Sequence, residues 1–296
     1  MKTVVLFLAL LFCCGGLFAA DPVAEIPFRW VMNQIILPVV IEGDTLNFQL
    51  DTGANPSLVD LTTAQARGLI VRPARHAPGD ESRSNSLDYV APLRHLNVGG
   101  VYIDSIPAMT VDLSLSSRYI GLPLHGVLGY SFFQNRIVQI DYRRHVVRLY
   151  DDRPDVDPGR NGVTVPMMMI EGETTPLIHD LTVDGTPLDA GIDTGSSFSF
   201  LLFPATVAAL GLDNYGANIR ADSVLHGESE ETDILRGHRA TVQIEEMRFN
   251  AAAVEFTREG WSSQGTDLWD GALGNAFFRN ARLTLDYKNG LISIEL

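Results

Sequence analysis

Asp51-Thr52-Gly53-Ala54-Asn55 is written a second time in this chain, as Asp193-Thr194-Gly195-Ser196-Ser197. Each copy closes an apolar, strand-like run, turns at a glycine and offers one carboxylate. A single Asp-Thr-Gly says little, because Asp and Gly belong in any turn. Its repetition inside a wider duplication decides the fold.

The duplication extends in both directions. Read backwards without gaps, Ile41-Glu42-Gly43-Asp44 falls on Val183-Asp184-Gly185-Thr186, and Leu46 falls on Leu188. Apolar runs flanking an acidic-Gly pair predict a β-hairpin in each copy. Read forwards, Leu61 to Leu69 resembles Phe203 to Leu212. Both predict short helices, the first capped by Asp60 and the second opened by Pro204, each stopping at a glycine followed by leucine. Further on, Gly126-Val127-Leu128-Gly129-Tyr130-Ser131-Phe132-Phe133 matches Gly271-Ala272-Leu273-Gly274-Asn275-Ala276-Phe277-Phe278. Asp141-Tyr142 matches Asp286-Tyr287, and alternating apolar residues from Val146 to Tyr150 and from Leu291 to Leu296 predict closing strands.

Two copies at this period are a duplicated lobe and not a repeat array. The many short apolar runs broken by turn residues make each lobe mainly β. The expected organisation is a signal peptide over 1–20, an N-terminal lobe over 21–150, a linker over 151–162 and a C-terminal lobe over 163–296. The linker reading rests on the charges, two prolines and two glycines between Asp151 and Gly162.

Composition narrows the setting. The chain has 296 residues, 46% of them hydrophobic, and a net charge of -14, which disfavours nucleic acid and anionic membranes as partners. Lys2, the apolar run from Val4 to Phe12 and small residues up to Ala20 predict an export signal cleaved near Ala19 or Ala20. The run is short for a spanning helix. Both cysteines, Cys13 and Cys14, fall inside it, so the mature chain is expected to hold no disulfide. Lipoprotein anchoring at Cys13 or Cys14 is the alternative, and Phe12, where a small residue is wanted before Cys13, argues against it. Asn55-Pro56-Ser57 is blocked as a glycan acceptor by its proline. Periplasmic or extracellular residence in a bacterium is the expectation.

Two similar lobes can pack about a pseudo-two-fold axis, which would bring Asp51 and Asp193 face to face. Paired carboxylates share one proton, so one can take a proton from water while the other donates to a carbonyl oxygen. Gly53 and Gly195 let the backbone approach closely behind them, and the Thr52 and Thr194 hydroxyls can lock the loops together across the interface. The seven histidines show no metal-ligand spacing. Gly129-Tyr130-Ser131-Phe132 does not complete a nucleophile elbow, and no phosphate-cradling loop is present. No metal and no cofactor are expected. Asp141 and Asp286 read as turn or capping residues, and the paired phenylalanines as core.

With its two Asp-Thr-Gly motifs and the downstream motifs Val127-Leu128-Gly129 and Ala272-Leu273-Gly274, the mature chain resembles the aspartic protease superfamily. It looks most like bacterial retropepsin-like proteins, with both lobes in one chain. The resemblance implies a bilobal fold in which each glycine motif threads behind the catalytic loop of its own lobe. It implies an aspartic endopeptidase acting on polypeptide through Asp51 and Asp193, supported by Thr52, Gly53, Thr194, Gly195 and Ser196, and monomeric because both halves are present. Asn55, Ser197 and Tyr89 are the expected substrate-binding positions. The flap is expected over Pro78 to Ser86, with a counterpart near His226-Gly227-Glu228. A catalytically silent, peptide- or protein-binding member of the same fold is the alternative. The chain departs from pepsins in lacking disulfides, in leaving only a few residues before the first lobe, and in placing Ala54 where pepsins have a hydroxyl. Ser196 can bond the outer oxygen of Asp193 and Ala54 cannot do so for Asp51. The expectation is therefore that Asp193 is the ionised member and Asp51 the proton carrier.

Overall fold

The computed structural model describes residues 20–73, 89–90, 92–154, 162–212, 220–226, 230–257 and 268–296. The cysteines, the export signal up to residue 19, the flap stretch Pro78 to Ser86, most of the linker and Gly227-Glu228 lie outside the described residues.

The predicted hairpins form on both sides of the duplication. Ile41 pairs with Asp44 and Val183 with Thr186, leaving two-residue turns at Glu42-Gly43 and Asp184-Gly185. All four turn residues have positive φ, from 48° at Asp184 to 90° at the glycines. That is the mirror-image turn whose twist suits paired strands, and glycine adopts it without a Cβ penalty. The hairpins deliver the chain into strands Asp44–Leu50 and Thr186–Asp193, whose ends are the two aspartate loops.

In each lobe the downstream glycine motif is a short buried strand inserted behind its aspartate loop. Gly126–Leu128 lies parallel to Asp44–Leu50, with Leu128 opposite Leu50, and antiparallel to Ser57–Asp60. Gly271–Gly274 repeats this between Thr186–Asp193 and Phe200–Leu202, with Gly274 opposite Asp193. The glycines are required by crowding, since a Cβ on Gly129 would stand 2.5 Å from the Ala54 carbonyl and one on Gly274 would stand 2.5 Å from the Phe198 carbonyl.

The strands that close each lobe in sequence pair within their own lobe, yet they belong to a sheet that both lobes share. Ala24–Pro27, Val146–Tyr150, Ile137–Asp141, Arg282–Asp286, Leu291–Glu295 and Gly162–Pro166 form one six-stranded sheet in that order. At its centre Ile137–Asp141 meets its own duplicate antiparallel, with Ile137 opposite Asp286 and Asp141 opposite Arg282. Val138, Ile140, Leu283 and Leu285 are fully buried and join one continuous apolar core with residues of both lobes. Asp141 and Asp286 accept from Arg144 N and Asn289 N in the turns that follow. The end of the linker is part of this sheet, since a strand already begins at Gly162.

Helices Leu61–Ala66 and Pro204–Ala209 form where expected, the first capped through Asp60 Oδ2 accepting from Thr63 N. Helix Ser114–Ile120 was not foreseen. It has no side-chain cap bond and stops at Gly121 with φ 70°. Among the described residues no helix is long and apolar enough to cross a membrane.

Candidate active site

The two aspartate loops meet and interlock. Thr52 N donates to Thr194 Oγ1 and Thr194 N donates to Thr52 Oγ1, each at 3.0 Å. Each hydroxyl then donates onward to the other lobe, Thr52 Oγ1 to the Ile192 carbonyl at 2.6 Å and Thr194 Oγ1 to the Leu50 carbonyl at 3.0 Å. Both threonines are essentially inaccessible, at 0% and 1% exposure. Four buried backbone groups are thereby satisfied across the lobe interface, and this fixes the loops in register.

The carboxylates follow from that register. Gly53 N donates to Asp51 Oδ1 at 2.7 Å and Gly195 N donates to Asp193 Oδ1 at 2.9 Å. Each motif glycine also faces the opposite carboxylate. A Cβ on Gly53 would lie 3.0 Å from Asp193 Oδ1 and 3.3 Å from Asp51 Oδ1, and a Cβ on Gly195 would overlap the Asp51 carboxylate. Two acidic groups thus share one small space, with Asp51 buried and Asp193 half-buried.

The copies are unequal. Ser196 Oγ donates to Asp193 Oδ2 at 2.7 Å, while Ala54 has no hydroxyl to offer Asp51. The second loop is further held by amides of the first lobe that the sequence reading missed. Gln34 Nε2 and Gln49 Nε2 both donate to the Gly195 carbonyl, at 2.8 and 3.2 Å, and Asn33 Nδ2 donates to the Ser197 carbonyl at 3.0 Å. From its own lobe, Asn275 Nδ2 donates to the Thr194 carbonyl at 2.6 Å.

The remaining predicted positions are less engaged. Asn55 is exposed at the start of the segment after the first loop. Ser197 lines a cavity of about 550 Å³ beside the second loop, together with Asn33, Ser199, Glu255 and Arg279. The backbone of Tyr89 lies in a short strand opposite Thr110, and its side chain is outside the described residues.

On the second lobe the structure assembles a cluster that sequence spacing did not suggest, because Asp189 arrives from the neighbouring strand. His179 Nδ1 stands 2.6 Å from Asp189 Oδ1 and His179 Nε2 stands 3.3 Å from Asp180 Oδ2. The hydrogen bond with Asp189, then the charges of Asp189 and Asp180, raise the His179 pKa. These are exposed ion pairs among the cluster's own members.

The family profile described as Aspartyl protease matches residues 37–132 and 179–277, one span in each lobe and each containing one aspartate loop with its downstream glycine motif. The chain belongs to the aspartyl protease family. The aspartic-protease fold, mainly β and bilobal, is seen again in the crystal structure of Basic 7S globulin from soybean. That structure shares 9% identity, with a TM-score of 0.54, over 92% of this chain and 94% of that one. A search of curated proteins finds no match to the sequence. Family membership makes this a protease-like protein whose class of substrate is polypeptide.

Proposed function

We propose that the protein is an exported, monomeric aspartic endopeptidase, with Asp51 and Asp193 as its catalytic pair. The observation that carries this reading is the reciprocal threonine lock, which presents both carboxylates to one space. In the proposed reaction the ionised carboxylate takes a proton from a water as its oxygen adds to the peptide carbonyl carbon. The neutral carboxyl gives its proton to the carbonyl oxygen. Collapse of the tetrahedral gem-diol then breaks the C–N bond: the departing amine takes the proton that came from water, and one diol hydroxyl returns its proton to the other carboxylate, so the acid product forms and the pair regains its single proton. No metal and no covalent intermediate enter these steps. Ser196, bonded to the outer oxygen of Asp193, supports Asp193 as the ionised member and Asp51 as the proton carrier. Export is supported by the leading sequence, with Lys2 ahead of an apolar run and small residues before Asp21.

The purified mature chain, incubated with a mixed peptide library between about pH 3 and 8, a span that reaches below and above the loss of a carboxylate pair's shared proton, is expected to cleave internal bonds. Asp51→Asn and Asp193→Asn are each expected to abolish cleavage while leaving the fold intact by circular dichroism. Cleavage that survives both substitutions would sink the proposal. A wild-type chain that binds peptides and leaves them whole would be the silent, peptide-binding member of the fold.

A further inference from the structure

The two aspartate loops are alike in their threonines and unlike in what reaches them from behind. Tyr142 and Tyr287 occupy equivalent places in the duplication, and each is fastened to the opposite lobe. Tyr142 N donates to the Ala281 carbonyl at 3.2 Å and its ring stacks on Phe278; Tyr287 N donates to the Arg136 carbonyl at 3.0 Å and its ring packs on Phe133. Beyond this the copies diverge. The Tyr142 hydroxyl donates to Asn275 Oδ1 at 2.8 Å, and Asn275, fully buried, donates through Nδ2 to the Thr194 carbonyl. On the other side Tyr130 stands in the place of Asn275, with its ring centroid 6.1 Å from that of Tyr287. The Tyr287 hydroxyl is buried with no hydrogen-bond partner among the described residues.

The Thr194 carbonyl and the Gly195 N–H belong to one peptide unit, and that N–H donates to Asp193 Oδ1. A hydrogen bond accepted at the oxygen of an amide polarises the unit and strengthens donation from its nitrogen. We propose that Asn275, oriented by the Tyr142 hydroxyl, is a positioning residue that fixes and polarises the Thr194–Gly195 peptide and thereby keeps the negative charge of the pair on Asp193. The proposal rests on the proteolytic reading of the pair and adds a residue that touches neither substrate nor carboxylate. Ser196 acts at the outer oxygen of Asp193 directly; Asn275 acts at the inner one through the backbone. Among the described residues, the titratable groups that face the pair are the partner carboxylate and, on the Asp51 side, the Tyr287 hydroxyl, with the Tyr130 ring packed beside Tyr287. Burial, followed by the charges of Tyr130 and Asp51, pushes the Tyr287 hydroxyl up, so it adds no charge of its own.

Three variants separate this role from simple bracing of the interface. Asn275→Ala is expected to lower kcat about tenfold, to change KM less than twofold, and to move the acidic limb of the kcat profile upward by about half a pH unit. The sign follows because the ionised form loses support and the pair then needs a higher pH to lose its first proton. Tyr142→Phe is expected to move the limb the same way by a smaller amount. Tyr287→Phe deletes a buried hydroxyl that has no partner among the described residues, so the limb is expected to stay in place and the Tm not to fall. A folded Asn275→Ala with wild-type kcat and limbs would overturn the proposal, as would a Tyr287→Phe shift as large as that of Tyr142→Phe. If Asn275→Ala fails to fold, Tyr142→Phe, which removes one oxygen atom, carries the test. If the wild type cleaves nothing, the proteolytic reading fails by itself. Titration of ¹³Cγ-labelled aspartate, assigned with Asp51→Asn and Asp193→Asn, then still locates the shared proton. An Asn275→Ala titration identical to wild type would overturn the positioning role.

Discussion

Gly195 and Gly53 are the same residue in two copies, yet they carry different steric loads. A methyl group on Gly195 would occupy the place of the Asp51 carboxylate, whereas on Gly53 it would only touch Asp193 Oδ1 at 3.0 Å. Gly195→Ala is expected to displace a reacting group by about an ångström and to cost about 100-fold in kcat, and Gly53→Ala distinctly less. Steady-state kinetics on one cleaved peptide would measure both, and equal losses would show that the glycines are needed only for the turn. Ser196→Ala tests the other inequality. It is expected to move the acidic limb of the pH-rate profile upward, because the ionised pair loses a direct donor. Unmoved limbs would remove Ser196 from the account. At this scale the aspartates, threonines and glycines were legible because they are repeated. Gln34, Gln49 and Asn275 were not, since a lone amide in a strand or after a glycine reads as an ordinary polar residue. The signal available was the failure of the repeat, in Gly191 against Gln49 and Tyr130 against Asn275.

Among the secondary-structure elements, the hairpins and the first helix were legible through local chemistry alone. Asp60 shows how much one such residue can hold. Its Oδ2 accepts from Thr63 N at 2.9 Å and caps helix Leu61–Ala66, and its Oδ1 accepts from Leu113 N at 3.2 Å. Leu113 is the residue from which helix Ser114–Ile120 starts, so one carboxylate organises both helix beginnings. That second helix was harder to see because its Asp60 contact comes from a residue distant in sequence, although Asp112 Oδ1, next to its start, also accepts from Ser114 N at 2.8 Å. Asp60→Ala is expected to destabilise the protein by about 1–2 kcal/mol, lowering Tm by about 2–4 °C per kcal/mol for a chain of this size. Calorimetry would read the shift, and Asp60→Asn is expected to recover part of it, because an asparagine oxygen still accepts. A Tm unchanged by Asp60→Ala would mean that water replaces both bonds without loss.

Across the whole molecule, the duplication predicted two lobes, and the structure adds how they are joined. The joining of strands Ile137–Asp141 and Arg282–Asp286 was not legible, because period-2 alternation says which face is buried and nothing about which strand lies alongside. Their pairing about the Gln139–Thr284 centre makes one sheet and one core out of two repeats. The threonine lock then ties the lobes a second time, at the aspartate loops. Thr52→Val removes the acceptor of Thr194 N and the donor to Ile192 O, and Thr194→Val does the same to Thr52 N and Leu50 O. Each substitution keeps the shape of the side chain and strands two buried backbone groups, at about 1–3 kcal/mol per group. The pair is expected to be non-additive. Once one substitution loosens the lobe contact, water reaches the groups that the second would strand, so the double variant should be less damaging than the two singles together by about 0.5–3 kcal/mol. Denaturant unfolding of the four proteins in the cycle would give this coupling directly. Strict additivity would mean that the loops are positioned by their own lobes, with the reciprocal bonds following from that placement and not causing it.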